Sequence, residues 1–328
     1  MANNSIRKNN YLIFSDESAV TGNERFRSIG TISGNLKEMK MLHKQLGDLL
    51  KKYDVSEVKF SKIKGHSSYT QVSKEFVSLG LKKCHEGTIR VNVMVWDTQD
   101  SRHSVRGRDD IENFKRMYYH ILKVTIKHWN NQFKWEFYPD EHTAVNWQEI
   151  VYYLSRKNLS KADGSTPLLF EEFRELNFAK IHPPRESTSP KFYIIQLADL
   201  FAGIVRTSHL YGQDLIEWRQ INCPGNLLFP ANQDSGISKN QSVKFEVMSH
   251  FKDIADNYRL GVNLSEDKYF RTFNHSKNIF LWKYEPQHEN DKAPVKRKEY
   301  KLKTKIVNKP SGLTDDKIAI VEGTGKSN

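Results

Sequence analysis

The spacing of apolar residues changes period several times along the chain, and each change marks an element. Tyr11–Ser15 and Arg27–Ser33 are short runs of β-branched and aromatic residues separated by a loop containing Gly22 and Asn23, which predicts an antiparallel strand pair. Leu36–Tyr53 carries Met39, Leu42, Leu46, Leu49 and Leu50 at helical spacing. Glu57–Phe60 reads as a short strand and Val72–Lys83 as a helix. In Ile89–Trp96 the residues Ile89, Val91, Val93 and Val95 alternate with a period of two, the clearest strand of the sequence. Ile111–Trp129 is a long amphipathic helix with Phe114, Tyr118, Ile121, Leu122 and Thr125 on one face. Lys134–Tyr138 is a strand stopped by Pro139-Asp140, and Asn146–Leu154 is a helix built on Trp147, Ile150, Val151 and Leu154. Phe173–Ile181 reads as a further strand, and the loop HPPRESTSP then leads into an apolar helix at Phe192–Thr207. Residues 208–285 read as a mostly helical extension, with Val243–Tyr258 its best helix.

Strands interleaved with helices predict an α/β architecture, a mixed sheet covered by helices. The chain divides into residues 1–207, which hold this sheet, the helical extension over 208–285 packed on it, and a basic tail over 286–328. Pro286, Pro294 and Pro310 punctuate that tail, which has no sustained amphipathic period. From Lys292 to Lys309 eight basic residues stand against Glu299 alone, so this short stretch holds most of the net charge of +12. It reads either as a disordered solubilising end or as an electrostatic arm for nucleic acid.

Composition removes several classes. Cys84 and Cys223 lie far apart and neither belongs to a CxxC pair, so zinc ribbons and redox motifs lack support. The polar start MANNSIRKNN has no signal-peptide core, and no run approaches the ~20 apolar residues of a membrane span. The expectation is a soluble cytoplasmic protein with no membrane partner. P-loop, dinucleotide and zincin signatures do not occur.

Three acids stand where packing does not explain them. Asp16 ends the run YLIF, and Asp140 follows the strand KWEFY; either suits an ordinary turn when taken alone. Asp199 lies in the apolar helix FYIIQLADLFAGIVR, where a lone buried carboxylate is costly unless paired, protonated or bound to a cation. A salt bridge to Arg206 is the plain alternative. Gln196, Ala202 and Gly203 keep the surface around Asp199 small, so another backbone can approach it closely. If the strands carrying Asp16 and Asp140 are neighbours, their C-terminal ends bring both acids to one sheet edge, and the helix can present Asp199 to them. Such a set suits Mg²⁺ or Mn²⁺, hard cations that take carboxylate oxygens. Two such ions activate water and stabilise a leaving oxygen in phosphodiester cleavage.

SDES at residues 15–18 after a strand, with IQLADLFAG at 195–203, resembles the bacterial family called domain of unknown function 3800. The resemblance spans about residues 11–207 and implies an RNase H-like fold, with Asp16, Asp140 and Asp199 at its acidic positions. It also implies a further acidic position at Glu57, followed by the basic Lys59. Ala19 replaces the glycine that often follows DES, which bears on loop geometry.

These readings together predict a divalent-metal-dependent nuclease acting on DNA or RNA, with Asp16, Asp140, Asp199 and Glu57 as catalytic acids and the first three as metal ligands. Lys59, Lys62, Arg102, Arg106, Arg108, Arg185 and Lys191 are the candidates for contacting nucleic acid, or else lie on solvated faces. His142, near Asp140, is a candidate general acid or base, or a packing histidine. The alternative function is a catalytically weak nucleic-acid-binding protein, working with a partner protein in phage defence or on a mobile element, as the family resemblance implies.

Overall fold

The computed structural model describes residues 10–19, 24–65, 67–103, 105–129, 134–142, 145–155, 192–222 and 237–286. The expected strand at Phe173–Ile181 lies outside these residues. In chain order the elements are β1 (Asn10–Ser18), β2 (Phe26–Asn35), α1 (Leu36–Tyr53), α2 (Ser68–His85), β3 (Ile89–Asp97), α3 (Asp110–His128), β4 (Lys134–Pro139), α4 (Trp147–Ser155), α5 (Tyr193–Asn222), α6 (Lys239–Asn257), β5 (Val262–Asn263), β6 (Arg271–Thr272) and β7 (Ile279–Lys283). One 3₁₀ turn, Phe60–Lys62, joins α1 to α2 by way of an irregular segment.

Five strands form one sheet in the order β4-β1-β2-β3-β7. β1, β2 and β3 are an antiparallel meander, β4 runs parallel to β1, and β7 parallel to β3. Only β2 therefore opposes the other four, whose C-terminal ends share one end of the sheet. Strand alternation sorts the side chains into two cores. Leu12 and Phe14 of β1, Ile32 of β2 and Val91, Val93 and Val95 of β3 pack with α1, α2, α5 and α6. Tyr11, Ile13, Ile29, Met94 and Trp96 face the other way, onto α3 and α4 through Phe114, Tyr118, Ile121 and Trp147.

Helix boundaries follow local chemistry. Asn35 caps α1 by accepting from the Glu38 N–H at 3.0 Å, and Asp109 caps α3 by accepting from the Glu112 N–H at 2.7 Å. At its far end α1 stops where Asp54 turns left-handed, φ +53°.

Several elements differ from the sequence expectation. Glu57–Phe60 is not a strand; Glu57 to Lys59 have no ladder partner and dock on α5 instead. α5 continues far past Thr207, through non-helical backbone at Tyr211, so the expected boundary at 207 falls inside a helix. The extension is helical in α6, but it also returns β7 to the main sheet. Met1–Ala293 cluster as one unit and Pro294–Asn328 as a second, which lies outside the described residues. Cys84 is buried and free. No helix among the described residues is long and apolar enough to cross a membrane.

Candidate active site

β1 does not end at Ser15, as the apolar run suggests, because β2 continues to supply ladder partners as far as Ser28. Asp16 is therefore a strand residue, paired with Gly30, and only 5% exposed. Alternation puts it on the face of Leu12 and Phe14, toward α5. The parallel register brings Pro139 beside Ser15, and the Asp140 N–H donates to the Ser15 carbonyl at 2.9 Å. The backbones of Asp16 and Asp140 thus lie side by side, just past the end of β4 and two residues before the end of β1.

α5 crosses this edge at close range. A Cβ on Gly30 would stand 2.6 Å from the Ala198 carbonyl oxygen and 3.3 Å from the Ala202 Cβ, so glycine at this position lets the helix touch the sheet. Ser28, two residues earlier on the same face, donates to the Ala202 carbonyl at 3.0 Å. Asp199, next to Ala198, is carried over the strand ends. It keeps part of its surface open to solvent.

The far side of Asp199 meets the segment after α1. Its Oδ2 accepts from the Phe60 N–H at 2.6 Å, and the Gln196 Oε1 accepts from the Val58 N–H at 2.9 Å. Gly203 makes room for this contact, since a Cβ there would lie 2.4 Å from the Phe60 ring. The small surface read around Asp199 does admit a second backbone. Arg206 does not pair with Asp199; it donates to the Phe26 carbonyl and to Glu24, both at 2.7 Å. Glu57, brought in by the same segment, pairs with Lys62 at 2.7 Å and with Lys59 at 3.5 Å.

Charge at this edge is concentrated. Burial drives the Asp16 carboxyl well above the usual carboxylate range, and the Asp199, Glu17 and Asp140 charges push it further. Burial raises Asp199 to about 6; the Phe60 N–H and Lys59 pull it down, while Asp140 and Glu57 push it up. Lys59 is raised although burial pulls it down, because Glu57, Asp16, Asp140 and Asp199 outweigh that burial. The Lys59 carbonyl accepts from the Tyr69 hydroxyl at 3.0 Å, fixing the lysine backbone beside the acids.

Sequence reasoning passed over Glu17. On the opposite face of β1 from Asp16, it accepts from the Tyr118 hydroxyl at 2.8 Å, and burial together with Asp140 and Asp199 brings it to about 7. Its signal was the unbroken strand: adjacent residues of one strand serve opposite faces. Among the described residues, no three His, Cys, Asp or Glu side chains are gathered tightly enough to hold a metal ion. Asp16 turns one oxygen to the Glu17 N–H at 2.7 Å, Asp199 turns one to Phe60, and Glu57 faces its lysines.

The other candidates are placed apart. Arg102 is engaged by Asp100 at 2.6 Å, with Glu285 at 3.8 Å. Arg106 is exposed and Arg108 half-buried; this loop follows β3, two strands or about 10 Å from β1. Arg185 and Lys191 lie outside the described residues. His142 packs its ring on Phe114 at 5.1 Å.

No family model matches the chain, and no solved structure does. Two curated proteins of Methanothermobacter thermautotrophicus are similar to it over nearly their whole length. "Uncharacterized protein ORF2'" is 30% identical over 293 residues, covering 86% of this chain and 97% of its own. "Uncharacterized protein ORF2" is 29% identical over 296 residues with the same coverage.

Proposed function

This chain belongs to the family of the uncharacterized proteins ORF2' and ORF2 of Methanothermobacter thermautotrophicus, and we propose that it is a divalent-metal-dependent nuclease with an RNase H-like fold. The observation that carries the reading is the meeting of Asp16, Asp140 and Asp199 from β1, β4 and α5 at one sheet end, where each charge opposes the next. That resembles the positions of the acids in the family called domain of unknown function 3800.

The chemistry of the donors suits Mg²⁺ or Mn²⁺, although their side chains would have to turn toward one another to hold an ion. The set consists of carboxylate oxygens, with no thiolate or imidazole among the three, and its mutual repulsion is relieved by a cation. Asp16 and Asp140 would supply oxygens from the sheet and Asp199 from the helix, each by side-chain rotation about a backbone already in place. Glu57, held by Lys59 and Lys62, would be the fourth oxygen donor. When bound, the cation supplies Lewis acidity and lowers the pKa of water. The chain's own part is to fix the acids on rigid elements, to exclude bulk water beneath Asp16, and to hold Lys59, paired with Glu57, beside them as a countercharge.

Full-length protein should cleave DNA or RNA oligonucleotides in Mg²⁺ or Mn²⁺ and not in EDTA. Asp16→Asn and Asp199→Asn should each abolish cleavage while the protein stays folded. Unchanged cleavage in both variants would overturn the assignment. Metal-independent binding without any cleavage would favour the binding-protein alternative.

A further inference from the structure

Phe60 joins the acidic edge to a basic one. Its N–H is bonded to Asp199, while its ring lies against Gly203 and under the Lys244 ammonium of α6, 5.3 Å from the ring centroid. Arg206 follows Gly203 on the next turn of α5. Lys64 is exposed just after the 3₁₀ turn, where Gly65 turns the chain with φ +66°. Lys244 therefore stands over the Phe60 ring, and Arg206 and Lys64, from two other elements, lie near enough for their charges to act on it.

They do so without sufficient anions. Among the described residues no carboxylate pairs with Lys64 or Lys244. Arg206 donates to the Phe26 carbonyl and the Glu24 carboxylate, two acceptors for a guanidinium that carries five N–H groups. Lys244 is half-buried, and burial followed by the Arg206 and Lys64 charges holds its ammonium below the usual lysine range. Packing like charges together and partly desolvating one of them is unfavourable unless something anionic completes the cluster. Lys59 and Lys62 differ, because Glu57 already occupies both.

We propose that Lys64, Lys244 and Arg206 form a phosphate-binding subsite that holds a backbone phosphate of a nucleic-acid strand flanking the one presented to Asp16, Asp140 and Asp199. The proposal rests on the nuclease reading for its substrate class and extends it by giving the strand a direction, from the carboxylates across Phe60 toward α6. A phosphate has oxygens for both ammonium groups and for a guanidinium N–H, and the buried Phe60 ring holds the Lys244 stem in place beneath it.

The test is fluorescence anisotropy of full-length protein with labelled DNA and RNA oligonucleotides in EDTA across a salt series, followed by cleavage in Mg²⁺ and Mn²⁺. Lys64→Gln/Lys244→Gln should weaken binding about 10-fold and reduce the log–log salt slope by about 1, with Lys244→Arg retaining the wild-type values. If the double variant binds with wild-type affinity and slope, the subsite is wrong while the nuclease reading can stand. If the wild type binds but never cuts, and the variant still loses affinity, the subsite stands and the nuclease reading falls. A wild type that binds no oligonucleotide overturns both. Lys64→Gln alone, at an exposed turn, should give a smaller loss of the same kind and serves if Lys244→Gln fails to fold; no loss in it would then count against the subsite.

Discussion

Gly30 of β2 and the Ala198 carbonyl of α5 are in contact that no side chain could share: a Cβ on Gly30 would lie 2.6 Å from that oxygen. Asp16 is the ladder partner of Gly30 and Asp199 the neighbour of Ala198, so this one approach sets the distance between the two acids. Gly30→Ala should cost about 1–3 kcal/mol of stability through overpacking. It should also weaken Mg²⁺-dependent activity by more than the loss of folded protein explains. Urea denaturation and specific activity per folded molecule check this.

The acidic edge makes a pH prediction for the metal-free protein. Asp199 rises to about 6 and Glu17 to about 7, with Asp16 raised as well. Between the ordinary carboxylate range and these values the folded state holds protons that the unfolded chain has released, so this contribution falls as pH rises. In EDTA, Tm should drop from pH 5 to pH 8 more steeply than in saturating Mg²⁺. Asp16→Asn should flatten the EDTA profile and raise Tm at pH 8, even as it removes cleavage.

Asp199 has a second duty as the acceptor for the Phe60 N–H. Asn keeps a carbonyl oxygen for that bond, whereas Ala leaves it unmade. Asp199→Ala should lose roughly 1–2 kcal/mol more stability than Asp199→Asn, although both lose activity. Proteolysis near Phe60 should accelerate in the Ala variant alone.

Ala19 follows β1 with φ +62°, a left-handed backbone that disfavours any residue with a Cβ. Ala19→Gly should stabilise the protein by roughly 0.5 kcal/mol, the relief of strain being partly offset by the freedom glycine has when unfolded. Thermal unfolding reads this directly. The gain should be the same with and without Mg²⁺, since the turn supplies no carboxylate.

Period was enough to read the strands and helices whose partners are regular. The alternation of Ile89 to Val95 and the heptad-like face of Leu36–Tyr53 carry their structure in themselves. The meeting of Asp16 and Asp140 was also legible, because two apolar strands each ending in an acid need only lie parallel. What escaped was set by tertiary contact. Glu57 to Lys59 have strand-like composition, yet Gln196 and Asp199 satisfy their backbone from a helix far along the chain. Glu17 lies beyond the apolar run that marked the first strand, and only the ladder with β2 places it within β1. Lys244 sits in an ordinary amphipathic stretch, and only the fold puts it above Phe60.

β7 has a consequence for how the protein is made. It supplies the outer neighbour of β3, and it is the last described strand, ending at Lys283. During synthesis from the N-terminus β3 must wait, its edge unpaired, until nearly the whole body has left the ribosome. A nascent chain from which residues 279–283 have not yet emerged should therefore expose an adhesive strand and depend on chaperones, whereas one in which β7 is free has every described strand of the sheet in hand.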